Sequence, residues 1–494
     1  MAVIGLDVGT TCCKCGIYSN DGALLCIKAL EYEILRRKNE QYINVAALWD
    51  NVKKILSEAA KGYEVEGICV SSLGESFVPV DKYFNILSDS MLYTDVRGEE
   101  EAQYISQKID NEKLFSITGN KAHCMYSLPK MMWFKKNQND IYNKADYLLL
   151  IGDFINYMLS GIAAIDYSLA ARTMAFDITK KKWSHEILNL AGIDINKLSK
   201  TYSSGTVVGE IRKEISIELG ISPKCKIITG GHDQILSALG AGVIKKGSSI
   251  DGTGTVECIT PVFDKPVTDM NMGNCGYPCV PYAIEGLYAT YMLNYTGGAL
   301  LKWFKDMIKP EQAEILKADG QSFYDYYDKN MPDKPTSLLI LPYFAGAATP
   351  YMDTNAKGAI VNLQMDTSSF DIYRALMEGA AFEMRLNSEK IKEFGVNINE
   401  LTVTGGGSKS LAWLQIKADI MQVPIYPLET AEAGINGAAM LALKALGYIK
   451  DFEEATKIMV KRKNPIYPIV SNAEYYDIQF EKYKKIYKNI KELM

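Results

Sequence analysis

Residues 3–16 read VIGLDVGTTCCKCG, and two chemistries compete within them. An apolar run ends in Asp7 and a turn containing Gly9, Thr10 and Thr11, and three thiols follow at Cys12, Cys13 and Cys15. A metal site needs a second Cys/His pair at finger-like spacing. The nearest candidate, Cys275 and Cys279 in CGYPC, stands alone, and the only histidines are His123, His185 and His232. The thiols therefore read as small apolar fillers of a buried hairpin. That leaves the turn as the working part. In a tight Gly/Thr hairpin, backbone amides converge on an anion, hydroxyls add donors, and glycine removes the side chain that would block a phosphate. Asp7, just ahead of it, is suited to Mg²⁺, an ion that takes a carboxylate or two and keeps its waters. Neither a lysine-tipped Walker loop nor GxGxxG occurs, so a nucleotide site here is of another type.

Composition narrows the classes. The chain has 494 residues, 48% hydrophobic and 23% charged, which suits a globular protein of two large domains. A net charge of −5 disfavours nucleic acid and anionic membranes as partners. No apolar run is long enough to span a bilayer, and AVIGLDVG enters a strand pattern without a basic leader. Ten cysteines without a disulfide-like spacing suit a reducing compartment, so a cytoplasmic location is expected.

Alternation of strand and helix patterns organises the rest. Residues 14–30 read as two strands joined at Asn20-Asp21-Gly22. NVAALWDNVKKILSEAAKG is an amphipathic helix, capped by Asn44, with Val45, Leu48, Trp49, Val52, Ile55, Leu56 and Ala59 on its apolar face. SLPKMMWFKKNQ is another, with Pro129 near its start. KIITGGHDQILSALGAG predicts a strand ending at Thr229, a glycine turn, and a helix opening with Asp233 and Gln234. Near residue 243 the pattern restarts: LDVGTTCCKCGI aligns with IDGTGTVECITP, an Asp and a Gly/Thr turn between strands in both. Two related halves, each with a phosphate turn, are expected to face one nucleotide. No Pro/Gly/Ser linker separates them, so they should pack closely.

Asp233 begins a helix directly after a strand, where α/β proteins place catalytic groups, and can accept the proton of a hydroxyl attacking phosphorus. His232 beside it suggests a hydrolase, but no GxSxG elbow completes a triad. Gly405, Gly406 and Gly407 lie between a strand and a helix and permit close approach of something flat or anionic.

These segments, in this order, resemble the FGGY family of carbohydrate kinases over nearly the full length. GLDVGTTCCK is similar to its first phosphate turn, GGHDQ to its catalytic segment, DGTGTVEC to its second phosphate turn and TGGGSKSLAWLQIKADI to its adenosine segment. MYSLPKMMWFKKN fits its first signature, while GAIVNLQMDTSSFDIYRALMEG fits the second less well, with Asn362 where glycine is usual and Leu376 also departing. The resemblance implies an α/β fold of two actin-like (ribonuclease-H-like) domains, with ATP in the cleft between a sugar lobe, 1–243, and a nucleotide lobe, 244–494. It implies Asp233 as general base and Asp7 as the water-mediated Mg²⁺ residue. Thr10, Thr11, Lys14, Gly252, Thr253, Gly254, Thr255 and Gly405 to Gly407 are implied for ATP. Gly74, Glu75, Tyr93, Met125, Asp233 and Gln234 are implied for the acceptor.

Glu75 matches a position where glycerol kinases carry a polyol-binding Glu, but the Arg normally before it is Gly74, and a Tyr expected in the loop before Lys130 is Met125. Losing a fork of donors and a hydroxyl weakens the grip on glycerol and makes room for a ketose or polyol of four to six carbons. The Met-His pair typical of xylulokinases is also missing at 74–75. Glycerol kinase is thus the nearer alternative. A chaperone-type ATPase would need a peptide-binding β-domain, and a non-catalytic sugar sensor would have lost Asp233 or a turn. A homodimer is compatible with all of these.

Overall fold

In the computed structural model, which describes residues 1–38, 40–429 and 432–493, strand β1 (Ala2–Val8) is buried along nearly its whole length. It runs antiparallel to β2 (Cys12–Ser19), with Asp7 opposite Lys14 and Val8 opposite Cys13, and β2 pairs with the edge strand β3 (Leu24–Glu31). Cys13 and Cys15 point into the core, and burial pushes the Cys13 thiol up to about 12. All ten cysteines are free, and no cluster of metal-ligating side chains occurs among the described residues.

Helix α1 (Val45–Ala60) buries the stripe anticipated from its periodicity, and Asn44 Oδ1 accepts from Ala47 N at 3.0 Å. It leads to β4 (Val65–Ser72), parallel to β1 with Ser71 beside Asp7. Further along come the short helix α2 (Tyr167–Ala171), β5 (Val207–Glu210), β6 (Lys226–His232) and α3 (Asp233–Gly240). The six strands form one mixed sheet in the order β5-β6-β4-β1-β2-β3.

The second half repeats this plan with β7 (Ser248–Thr253), β8 (Glu257–Phe263), β9 (Val280–Pro281), β10 (Tyr288–Ala289) and β11 (Met292–Asn294). After α4 (Gly298–Trp303) and the long α5 (Ser369–Lys392) come β12 (Glu400–Thr404), α6 (Leu411–Met421), β13 (Ile425–Pro427), α7 (Ala433–Ala445) and α8 (Val470–Ile490). The order is β9-β10-β8-β7-β12-β13, with β11 on β8. As in the first sheet, an antiparallel hairpin is followed by a parallel third strand, so Asp251 of β7 is the counterpart of Asp7.

One local expectation changes, and two features add to the reading. Gly230 and Gly231 make no turn; they lie within β6, which passes directly into α3. Glycine is needed there because a Cβ on Gly230 would lie 1.8 Å from the Val70 carbonyl oxygen of β4. Asn362 adopts φ 70°, the left-handed region that favours glycine and that asparagine tolerates best among other residues, so the departure at that position is conservative in backbone terms. Finally, α7 belongs to the second half of the sequence yet lies on β1: a Cβ on Gly5 would sit 2.1 Å from Ile435 O. It also crosses α3 at backbone contact, since Cβ atoms on Gly240 and Gly437 would fall 1.9 and 2.0 Å from carbonyl oxygens of the facing helix. Bare glycine faces thus bring the two halves together without a linker.

Candidate active site

The two turns are held in different ways. In the first, Gly9 N donates to Cys12 O at 3.0 Å, Tyr32 N donates to Thr11 O at 2.9 Å, and the Tyr32 hydroxyl donates to Gly9 O, leaving Thr11 exposed and Thr10 half-buried. In the second, Gly254 N donates to Val256 O at 2.9 Å, and the first turn of α4 clamps the hairpin through Gly298 N to Gly254 O at 2.7 Å and Ala299 N to Thr255 O at 3.1 Å. The three-glycine segment sits directly on this hairpin. A Cβ on Gly405 would lie 2.5 Å from Thr253 O, and one on Gly407 2.5 Å from Thr253 Cγ2, while Gly406 faces open space. The structure therefore brings Gly252 to Thr255 together with Gly405 to Gly407.

Asp7 and Asp251, equivalent by topology, have separate fates. Asp7 is half-buried; its Oδ1 accepts from Ser71 Oγ at 2.6 Å, and a Cβ on Gly434 would come within 2.9 Å of Oδ2. Burial raises its pKa, against the pull of Ser71 and Lys14. Lys14 lies beside it, paired with Glu432 at 3.0 Å. Asp251 is instead neutralised by Lys417, whose Nζ lies 2.5 Å from Asp251 Oδ2, 2.6 Å from Thr253 Oγ1 and 2.6 Å from Glu257 Oε1, all buried. Burial pushes the Glu257 carboxyl up while Lys417 pulls it back. Lys417 thereby braces the second turn from α6.

Asp233 is the first residue of α3, with a third of its side chain open to solvent. Its Oδ1 accepts from Gln234 N at 2.6 Å; the Gln234 side chain itself is exposed. Burial, and next the charge of Asp7, push its carboxyl up to about 7, with a further push from Glu75 and an opposing pull from Arg172. His232 Nε2 lies 3.3 Å from Asp233 Oδ1, and His232 Nδ1 lies 3.1 Å from Tyr291 Oη. Burial and the nearby Arg172 charge hold this imidazole well below its usual pKa, hence neutral. A neutral ring with Tyr291 donating to Nδ1 turns its Nε2–H toward Asp233. Tyr291 lies between β10 and β11, so the second lobe reaches across to the histidine beside Asp233.

Residues expected on the acceptor side also lie here. Glu75 is buried at φ 62°, where Ser76 N donates to Gly74 O at 2.7 Å; an i to i+2 bond around a positive φ is a γ-turn, an uncommon and strained arrangement. Ser127 Oγ secures it by donating to Glu75 O at 2.8 Å. Tyr93 is half-buried beside Thr10, where the charges of Glu75 and Asp233 help burial to raise its phenol.

Two expectations made from missing groups need correction. The space beside Gly74 is not left open: a Cβ there would meet His232 Cδ2 at 3.0 Å and Arg172 Cγ at 3.1 Å. Arg172, from the end of α2, supplies the guanidinium, its Nε donating to Glu75 Oε1 at 2.6 Å and its Nη2 contacting the same oxygen. Nor is Met125 the aromatic position. Tyr126, one residue on, sets its ring 5.1 Å from the guanidinium, and Tyr291 lies 5.7 Å away. Arg172 was legible only as an arginine inside an apolar run, SLAARTMAF, a residue type that is buried only when paired.

Known proteins match along the same length. The N-terminal domain of the FGGY family of carbohydrate kinases matches residues 2–240, and its C-terminal domain matches residues 252–446. A xylulose kinase of Bacillus subtilis is 27% identical over 500 residues, covering 99% of this chain and 97% of the relative. A gluconokinase of the same organism is 26% identical over 486 residues, covering 96% and 93%. In fold, the crystal structure of xylulose kinase from Rhodospirillum rubrum superposes with a TM-score of 0.90 at 23% identity, covering 100% of this chain and 99% of that one.

Proposed function

From the premise that this chain belongs to the FGGY family of carbohydrate kinases, and so phosphorylates a small sugar or polyol with ATP, we propose that Asp233 is the base of that transfer. The observation that carries the reading is the position of Asp233 at the start of α3, directly after His232, whose ring lies against Gly74 next to Glu75 and Arg172, with the charge of Asp7 also reaching its carboxyl. A hydroxyl oxygen of the acceptor attacks the γ-phosphorus of ATP, its proton passes to an Asp233 oxygen, and the bond from phosphorus to the bridging oxygen of ADP breaks. Thr10, Thr11 and Lys14 from one lobe, and Gly252, Thr253, Gly254 and Thr255 from the other, hold the phosphates, with Gly405 to Gly407 against the nucleoside. Glu75, Gly74, Tyr93, Met125 and Gln234 complete the acceptor side, to which Arg172 and Tyr126 are added.

One carboxylate with an oxygen left over from its Ser71 bond, and no protein cage of ligands among the described residues, suits an ion that keeps waters and takes phosphate oxygens. Asp7 would hold Mg²⁺ in that manner, and the ion would neutralise the charge on the transferring group.

The division into lobes 1–243 and 244–494, a homodimer and a cytoplasmic location belong to the same proposal; no helix among the described residues is long and apolar enough to cross a membrane. Asp233→Asn tests the base: kcat should fall by about 10²–10⁴ while calorimetry still detects ATP binding. Turnover within a few-fold of the parent would remove Asp233 from that role.

A further inference from the structure

Arg172 is buried, with 5% of its surface exposed, yet its Nη1 finds no hydrogen-bond partner among the described residues. A buried guanidinium nitrogen without a partner costs free energy unless something arrives to accept from it. Both contacts to Glu75 fall on Oε1, so Oε2 is not taken up by the guanidinium. The pair therefore keeps one donor, Arg172 Nη1, and one carboxylate oxygen, Glu75 Oε2, outside its own contacts. The arrangement is built. Asp166 caps α2 by accepting from Ser168 N at 2.8 Å and Leu169 N at 3.1 Å, and Ser168 Oγ accepts from His232 N at 2.9 Å. The element that delivers Arg172 is thus tied to the residue that precedes the base.

Resting on the kinase reading, we infer that the Glu75–Arg172 pair is a clamp for two neighbouring hydroxyls, selecting an uncharged polyol or ketose and rejecting aldonates. A hydroxyl both donates and accepts, so one hydroxyl accepts from Nη1 while its neighbour donates to the carboxylate, and the pair stays intact. A carboxylate on the acceptor offers only acceptors. It would meet Arg172 already neutralised by Glu75, with Asp233 and Asp7 nearby, His232 uncharged, and the triphosphate entering from the other side. Like charges brought together in this way are strongly disfavoured. The inference separates this chain from the gluconokinases among its relatives and uses a residue, Arg172, from an element distant in sequence from Glu75.

The test is a coupled ADP-release assay on the full chain with Mg²⁺ and ATP. The acceptors are tetritols, pentitols, pentuloses, hexuloses and glycerol, set against aldonates of four to six carbons. The best neutral acceptor should exceed the best aldonate by at least about 100-fold in kcat/KM. Glu75→Gln, checked for folding by ATP calorimetry, should narrow that ratio by about tenfold or more, because the freed guanidinium then accepts a carboxylate. Preference of the parent protein for an aldonate overturns the inference and leaves the kinase reading standing. A ratio unchanged in both Glu75→Gln and Arg172→Lys overturns the clamp. If ATP binds and neither class of acceptor is phosphorylated, the kinase reading fails and takes the inference with it.

Discussion

Asp233 titrates in the range where the enzyme would be assayed, and the consequence is quantitative. Its carboxyl is pushed up to about 7 by burial and the neighbouring Asp7 charge. A base must be unprotonated to accept the hydroxyl proton, so activity rises with pH through that value and does not fall. With a midpoint near 7, about a tenth of the molecules carry the active carboxylate at pH 6 and about nine tenths at pH 8. The expected profile of kcat/KM, measured with both substrates below saturation so that it reports the free protein, climbs about tenfold between those limits and then levels. Glu75 also pushes this carboxyl up and Arg172 pulls it down, so Glu75→Gln should move the midpoint toward acid and Arg172→Gln toward alkali. In Asp233→Asn the residual rate should lose this limb. A profile flat from pH 6 to 8 in the parent protein, or one that declines as pH rises, refutes the assignment; so does persistence of the limb in Asp233→Asn.

Two further outcomes concern the scaffold that carries the turns. Lys417→Met leaves Asp251 and Glu257 buried without a counter-charge, at a cost of about 3–5 kcal/mol and a fall in Tm of about 3–5 °C. Burial already pushes the Glu257 carboxyl up, and without Lys417 nothing pulls it back, so calorimetric melts should show the deficit shrinking as pH falls from 8 to 6. Gly437→Val places side-chain atoms against Leu236 O of the facing helix. Chemical denaturation should register a loss of at least about 1–3 kcal/mol, with weaker ATP binding as α3 and α7 separate.

Local rules carried the sequence a long way. Residues 3–16 announce a buried hairpin with a Gly/Thr turn, because two apolar runs and the turn between them lie within a dozen positions. The repeat at Asp251 and the cap and stripe of α1 are equally local. They depend on residues within a few positions of one another, so the order of residues suffices to read them.

What could not be read depends on residues far apart in the chain. Asp7 and Asp251 occupy equivalent positions, and only the arrival of Lys417 from α6 makes one a buried, paired anion while the other stays half-buried beside Ser71. Gly230 and Gly231 look like a turn by composition, but they lie within a strand, and the Val70 carbonyl on the adjacent strand leaves no room for a side chain at Gly230. A missing arginine at position 74 implied an emptier pocket; the fold fills that space with Arg172, held by Glu75 from the turn after β4 and flanked by the rings of Tyr126 and Tyr291. The sequence by itself determined most of the elements and the two Asp-and-Gly/Thr hairpins, since periodicity and turn chemistry act at short range. Tertiary structure alone decided which charges meet and which donor remains unpaired, since burial and electrostatics depend on neighbours in space.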